Sequence, residues 1–163
     1  PLSYTPFEEF ASGFVMGGLI PMATYYAITS TFAPLVLYYA VPLILTIGLI
    51  MLTNNGCDIK KDKKACRRTL PILLGEKKTR RLLLFGFVFT LLTVAHFGFW
   101  YFRTGSPIAI LMFVHCFFYL KAYLAIPLDI PHRRQAMGQT LKLVKTINIY
   151  YLLIILAEVC FHG

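Results

Sequence analysis

Five long apolar stretches constrain the fold of this chain more than any other feature of its sequence. They cover residues 10–29, 32–53, 82–102, 107–126 and 143–161, and each is close to the roughly 20 residues that an α-helix needs to cross a bilayer. Hydrophobic residues make up 58% of the 163 residues, which is more than a soluble domain of this size can bury. The sequence therefore predicts an all-α transmembrane helical bundle with five membrane-spanning helices.

Basic residues are concentrated between these stretches. Ten of the sixteen Lys and Arg residues lie between Lys60 and Arg81. Four more follow the fourth stretch, at Arg133, Arg134, Lys142 and Lys145. Because basic loops face the cytoplasm, we expect a multi-pass cell membrane protein with cytoplasmic basic loops and its C-terminus outside. Membrane orientation and contact with lipid headgroups then account for Arg133 and Arg134.

The net charge of +9 does not indicate nucleic acid as a partner. The sequence contains no zinc-finger spacing and no patch in which aromatic and basic residues alternate. The expected surroundings are a lipid bilayer, with the positive charge at its cytoplasmic face.

The loop after the second stretch carries a regular pattern of oxygen ligands. Asn54, Asp58 and Asp62 recur every four residues, so on a helix their side chains share one face. Carboxylate and amide oxygens are the ligands that Mg²⁺ prefers, and the surrounding Lys and Arg residues suit phosphate oxygens. The spacing alone also fits a solvated charged linker beside lipid headgroups.

A longer run of residues distinguishes between these two interpretations. From Asn54 to Gly75 the sequence follows the pattern Asn-Asn-x-x-Asp-x-x-x-Asp-x-x-x-x-Arg-Arg-Thr-Leu-Pro-x-x-Leu-Gly. This run resembles the second aspartate-rich motif of the membrane aromatic prenyltransferases, the UbiA superfamily. Members commonly have Gly where Cys66 stands, a departure that predicts a different turn after Asp62.

The start of the chain carries a second resemblance. The segment from Pro1 to Phe10, followed by Gly17 and by Thr24-Tyr25-Tyr26, is similar to the superfamily branch that prenylates 1,4-dihydroxy-2-naphthoate. The order of spans and loops resembles the C-terminal part of that nine-helix fold, so residues 1–163 are expected to form the C-terminal portion of a UbiA-like prenyltransferase domain. The resemblance implies a missing N-terminal half, in the same protein or a second chain, and hence a chain that is catalytically incomplete by itself.

The resemblance also implies a function. The protein it implies is an intramembrane prenyltransferase that moves a polyprenyl group from its diphosphate to an aromatic acid. The implied acceptor is 1,4-dihydroxy-2-naphthoate, in menaquinone biosynthesis, with Mg²⁺ as cofactor. The roles implied at matching positions are metal binding by Asn54, Asp58 and Asp62, diphosphate binding by Lys61, Arg67 and Arg68, and aromatic-substrate binding by Tyr4, Glu9 and Tyr25.

Other interpretations stay open beside this one. The acceptor could be another aromatic acid, such as a 4-hydroxybenzoate, or the chain could be a non-catalytic quinone- or lipid-binding half-subunit of a membrane complex. The tyrosines could be interfacial anchors. A transporter is disfavoured because the sequence shows no inverted repeat. Within the spans, His96 and His115 are predicted to form interhelical hydrogen bonds, and Glu158 to be a hydrogen-bonded carboxyl.

Overall fold

The structure is a computed structural model that describes residues 1–162, with the side chains of all of them except Ser3, Arg103 and His162. Over these residues it consists of helices and short connections, without a β-strand. After a single 3₁₀ turn at Leu2–Tyr4, the helices are α1 (Glu8–Thr29), α2 (Leu35–Tyr39), α3 (Val41–Cys57), α4 (Ile59–Lys64), α5 (Leu70–Tyr101), α6 (Ser106–Leu124) and α7 (Arg133–His162). The predicted all-α transmembrane class is confirmed.

Four helices are long and apolar enough to cross a membrane, namely Glu8–Thr29, Leu70–Tyr101, Ser106–Leu124 and Arg133–Phe161. The second of the five expected spans, at residues 32–53, is instead divided into α2 and α3. Pro42 stands in the first turn of α3, where a missing N–H costs nothing, so this helix begins at Val41 rather than at residue 32. With 17 residues, α3 is shorter than a full span.

Helix α3 lies at the centre of the bundle and packs against α1, α5 and α7, while α6 packs against α7. Gly17 of α1 allows one of the close approaches between α1 and α3. A Cβ atom at Gly17 would lie 2.5 Å from the backbone nitrogen of Ile44 and 2.6 Å from the carbonyl carbon of Leu43. A larger residue would therefore push α1 away from α3.

The end of α3 that begins at Val41 lies beside an aromatic cluster, which we define as Tyr38, Tyr39, Phe97, Tyr101 and Tyr151. Phe97 is fully buried in it, and its ring centroid lies 5.1 Å from that of Tyr38 and 5.6 Å from that of Tyr151. The Tyr151 hydroxyl donates a hydrogen bond to the carbonyl oxygen of Tyr39 at 2.8 Å. Aromatic packing thus joins α2, α5 and α7 at this end.

The predicted polar contacts within the spans are also found. His96 Nε2 lies 3.0 Å from the Tyr38 hydroxyl, and His115 Nδ1 lies 3.4 Å from the Tyr150 hydroxyl, so both histidines hydrogen-bond to another helix. The Glu158 carboxylate accepts hydrogen bonds from the backbone N–H and the hydroxyl of Thr104, at 3.3 and 2.6 Å.

Helix α5 is interrupted near its start. Gly75 has φ +74° and ψ 166°, a conformation that residues with a Cβ rarely adopt, and the segment before it forms a separate short turn. The long continuous part of α5 therefore begins after Gly75, with polar and charged residues at positions 76–81 and the apolar stretch from residue 82 onward.

Candidate functional site

Asn54, Asp58 and Asp62 lie on successive helical turns where α3 meets α4. The backbone N–H of Asp58 donates to the Asn54 carbonyl at 3.2 Å, and the N–H of Asp62 donates to the Asp58 carbonyl at 2.8 Å. The four-residue spacing is therefore kept across the junction, although Asp58 itself leaves the helical conformation. Asp58 and Asp62 are 7% and 3% exposed, so both carboxylates lie inside the protein rather than in a solvated linker.

We call Asn54, Asp58 and Asp62 the acidic row. Arg133, the first residue of α7, contacts two of its three members. Its Nε and Nη2 atoms donate to Asn54 Oδ1 at 3.2 and 2.6 Å. Its Nη2 atom also lies 3.4 Å from Asp58 Oδ2. The assignment of Arg133 to membrane orientation alone was incomplete, since a contact between residues 79 positions apart leaves no local signal in the sequence.

Arg67 connects the same row to the start of the chain. Its guanidinium donates to Asp62 Oδ1 at 2.9 Å and to Glu8 Oε2 at 2.8 Å. It also lies 6.0 Å from the centre of the Tyr4 ring, and the backbone N–H of Arg68 donates to the Tyr4 carbonyl at 3.2 Å. We call residues 58–69 the acidic loop, after its two buried aspartates. We call Tyr4, Glu8 and Arg67 the N-terminal latch, because they hold the first residues of the chain against this loop.

Asn55 completes this network without having been predicted. Its side-chain nitrogen donates to Glu8 Oε2 at 3.1 Å and to Glu9 Oε1 at 3.0 Å, and the residue is 1% exposed. The sequence signal for Asn55 is the doubled asparagine at positions 54 and 55, but the four-residue spacing includes Asn54 alone. Glu9 and Asp62 each keep one buried oxygen, Oε2 and Oδ2, without a hydrogen-bond partner among the described residues.

An apolar groove begins at Glu9 and runs between α1, α3 and α5. Its volume is about 210 Å³, and it is lined by Glu9, Phe10, Ile44, Leu45, Gly48, Leu49, Leu52, Leu82 and Gly86. A single carboxyl group at the end of an apolar wall suits a ligand that is mostly hydrocarbon and has a polar head.

The comparison with known proteins identifies the family. Residues 1–127 match the sequence profile described as the UbiA prenyltransferase family. This chain belongs to the UbiA prenyltransferase family. A curated relative, the 1,4-dihydroxy-2-naphthoate octaprenyltransferase of Bacillus subtilis (strain 168), is 37% identical over 83 residues, which are 51% of this chain and 27% of the relative. The aligned region of this UbiA chain is thus about a quarter of that relative's length. The match indicates that the chain lies near the branch of the family that prenylates naphthoate. No solved structure matches it.

Within this UbiA chain, Cys66 adopts a left-handed backbone conformation that glycine adopts more readily than other residues. It has φ +55°, in the left-handed region that a side chain makes unfavourable by roughly 1–2 kcal/mol. The turn lets the backbone N–H of Arg67 donate to the Asp62 carbonyl at 3.0 Å. The loop thereby brings Arg67 to Asp62, and the different turn expected from the substitution stays a prediction.

The remaining predicted residues of the UbiA motifs lie at different distances from this site. Lys61 and Arg68 are exposed on the acidic loop, and the Lys61 side chain makes no hydrogen bond or ion pair with any described residue. Tyr25 lies 17 residues beyond Glu8 on the same helix, which is roughly 25 Å along its axis. The structure therefore brings Tyr4 and Glu9 to the acidic loop and does not bring Tyr25 there.

The donor set of the UbiA loop fits a magnesium ion as part of a larger site. The amide oxygen of Asn54, the Asp58 carboxylate and the buried Asp62 Oδ2 are hard oxygen ligands, and Mg²⁺ is usually bound through one or two carboxylates together with waters and substrate phosphates. The described residues contain no group of three or more His, Cys, Asp and Glu that could hold a metal alone. A metal here needs oxygen ligands from elsewhere.

Proposed function

We propose that this chain is the C-terminal portion, residues 1–163, of an intramembrane enzyme that moves a polyprenyl group from its diphosphate to an aromatic acid. The observation that supports this most is the row of Asn54, Asp58 and Asp62 on successive turns, with Arg133 and Arg67 in direct contact with it. The relative's name favours 1,4-dihydroxy-2-naphthoate as the acceptor and menaquinone biosynthesis as the pathway.

The chemistry requires charge stabilisation at a diphosphate. When the bond between the allylic carbon and the diphosphate oxygen breaks, its electron pair stays on the diphosphate. Asn54, Asp58 and Asp62 would hold Mg²⁺, which supplies positive charge for those oxygens. The exposed cations Lys61 and Arg68 would donate hydrogen bonds to the diphosphate, whereas Arg67 is engaged with Asp62 and Glu8.

The N-terminal segment would bind the acceptor. Glu9 Oε2 is buried at the end of the apolar groove and is free to accept a hydrogen bond from a ring hydroxyl. Tyr4 lies beside Arg67, so the ring would bind close to the acidic loop. In this arrangement the electron-rich ring carbon attacks the allylic carbon as the diphosphate leaves, and the attacked carbon then releases its proton, or its carboxyl group as CO₂, to restore aromaticity. Tyr25 stays a prediction for the same cavity, without a contact that supports it.

We further propose that an N-terminal half completes the site, either in the same protein or as a second chain. It would supply the second aspartate-rich wall for the metal and close the cavity around the prenyl chain. The basic loops would face the cytoplasm, and the C-terminus would lie outside.

Substitution of the two aspartates tests the proposal. In membranes that contain the chain with its N-terminal half, Asp58→Asn and Asp62→Asn are expected to lower Mg²⁺-dependent formation of prenylated naphthoate by about 10²–10³-fold, because they remove charge that holds the metal. Asp129→Asn is the control, since Asp129 lies in the second basic loop and pairs with His132. If the Asp58 and Asp62 variants turned over as fast as the Asp129 variant, the metal assignment would be wrong.

A product profile separates the alternatives. Equal amounts of 1,4-dihydroxy-2-naphthoate and 4-hydroxybenzoate are supplied, and products are identified by mass spectrometry. Predominant prenylation of the naphthoate supports the proposed acceptor, and predominant prenylation of the benzoate supports the alternative acceptor. Quinone binding by the complete protein, without product from either acid, would instead indicate a non-catalytic binding subunit.

A further inference from the structure

Arg133 and Arg67 are the two arginines that contact the acidic row, and they are held in different ways. Arg67 lies between two carboxylates, with its side chain 21% exposed. Arg133 directs two nitrogens at a single neutral amide oxygen, that of Asn54, and approaches Asp58 at 3.4 Å, with its side chain 43% exposed. Arg133 is therefore the less firmly fixed of the two.

The oxygens that Arg133 contacts are those that the proposed function assigns to a metal ion. A guanidinium 2.6 Å from Asn54 Oδ1 occupies the position on that oxygen where a cation would bind. Two cations close to the same oxygen repel each other, so metal binding there competes with the present Arg133 contacts. Because the Arg133 Nη2 atom also lies 3.4 Å from Asp58 Oδ2, a guanidinium displaced from Asn54 stays near the row.

We propose that Arg133 is a diphosphate-binding residue that competes with the metal for Asn54 and Asp58. When a metal takes these oxygens, the Arg133 guanidinium turns to the diphosphate and donates two parallel hydrogen bonds to its oxygens, for which the planar fork is suited. When the diphosphate leaves, Arg133 returns to Asn54 and Asp58 and favours release of the metal. The inference rests on the proposed function, because it assumes that this row binds metal and diphosphate.

The test uses two binding measurements on the complete protein, with its N-terminal half, in lipid nanodiscs. Binding of Mn²⁺ alone is followed by electron paramagnetic resonance, and binding of inorganic pyrophosphate at saturating Mg²⁺ is followed by calorimetry. Arg133→Gln is expected to tighten Mn²⁺ binding about fivefold, because a competing cation is removed. It is also expected to weaken pyrophosphate binding about tenfold, because charge-assisted hydrogen bonds are lost.

Two further variants make the result specific. Arg134→Gln removes the same charge from the neighbouring exposed residue, so both affinities should stay within about twofold of the wild type. Arg133→Lys keeps the charge but loses the planar fork, and should fall between the wild type and Arg133→Gln for pyrophosphate. Thermal unfolding of each variant shows whether it is folded.

Each outcome is decisive. Weaker Mn²⁺ binding in Arg133→Gln would mean that Arg133 only holds Asn54 and Asp58 in place, and would overturn the inference. Pyrophosphate binding equal to that of Arg134→Gln would overturn it too. A wild-type protein that bound neither Mn²⁺ nor pyrophosphate would refute the proposed function itself, and the inference with it.

Discussion

The two ends of the helical bundle join distant segments through different kinds of contact. At the end where α3 meets α4, which we call the polar end, Arg67 pairs with Glu8 and Asp62, and Arg133 binds Asn54. At the other end, the aromatic cluster packs around Phe97, with ring centroids 5–6 Å apart. Both ends close the bundle, but the pairs that Arg67 and Arg133 form with carboxylates lie at the polar end, where a charged ligand would compete for them.

The end with the aromatic cluster is therefore suited to hold the helices in place, whereas the polar end is suited to bind a ligand. Ring packing in the aromatic cluster is complete without a ligand, and it holds α2, α5 and α7 in fixed positions. The polar end keeps buried oxygens of Glu9 and Asp62 that lack hydrogen-bond partners among the described residues, a cost of roughly 1–3 kcal/mol for each. Such groups are stabilised when a ligand binds them, so we expect ligand-dependent stability at the polar end alone.

The largest expected effect is on the aromatic cluster. Phe97→Ala removes a fully buried ring and should lower the free energy of unfolding by about 3 kcal/mol. Unfolding by sodium dodecyl sulphate in mixed micelles measures this loss. Phe99→Ala is the control, because Phe99 is 42% exposed, and should have little effect. Pyrophosphate binding by folded Phe97→Ala protein should match that of the wild type; a large loss would show that the two ends are coupled.

The next effect concerns the N-terminal latch. Arg67→Gln leaves Glu8 and Asp62 without their counter-charge, and should cost about 2 kcal/mol, less than a fully buried pair because the Arg67 side chain is 21% exposed. The same unfolding assay applies. Arg68→Gln is the matched control, since Arg68 is exposed and contacts Tyr4 through its backbone. Equal stabilities of the two variants would mean that the latch contributes nothing.

The smallest effect is at Cys66. Cys66→Gly should raise stability by about 0.5 kcal/mol, because glycine adopts the φ of +55° without strain, although it also loosens the unfolded chain. Cys66→Ala keeps the strain and serves as the comparison. A Gly variant less stable than the Ala variant would show that the turn does not need this conformation.

The parts of the fold that could be predicted from the sequence are the apolar helices, because their hydropathy is a property of neighbouring residues in the chain. Hydropathy identified the positions of the spans, but it placed the starts of α5 and α7 about ten residues too late. Charged residues lower the hydropathy of a segment without preventing a helix, so α5 begins at Leu70 and α7 at Arg133. The break at Ala40 between α2 and α3 lies within a uniformly apolar segment and has no hydropathy signal.

The same division applies to the candidate site. The spacing of Asn54, Asp58 and Asp62 is a property of one helical path, so it could be deduced from sequence and is found in the structure. The contact of Arg133 with Asn54 depends on how α7 packs against α3, which no local pattern encodes. Tyr25 shows the opposite limit, because residues of one sequence motif stay apart when they lie several turns from each other along one helix.

The interruption of α5 at Gly75 has a mechanical consequence. A continuous 32-residue helix would transmit any movement of the acidic loop through the membrane, and the lipid and packed neighbours around it would resist. Because the helical path is broken at Gly75, residues 70–74 form a short segment that is separate from the long part of α5. On this side the acidic loop is therefore not continuous with a membrane-spanning helix, so a small rearrangement of the loop on ligand binding does not require the whole of α5 to move.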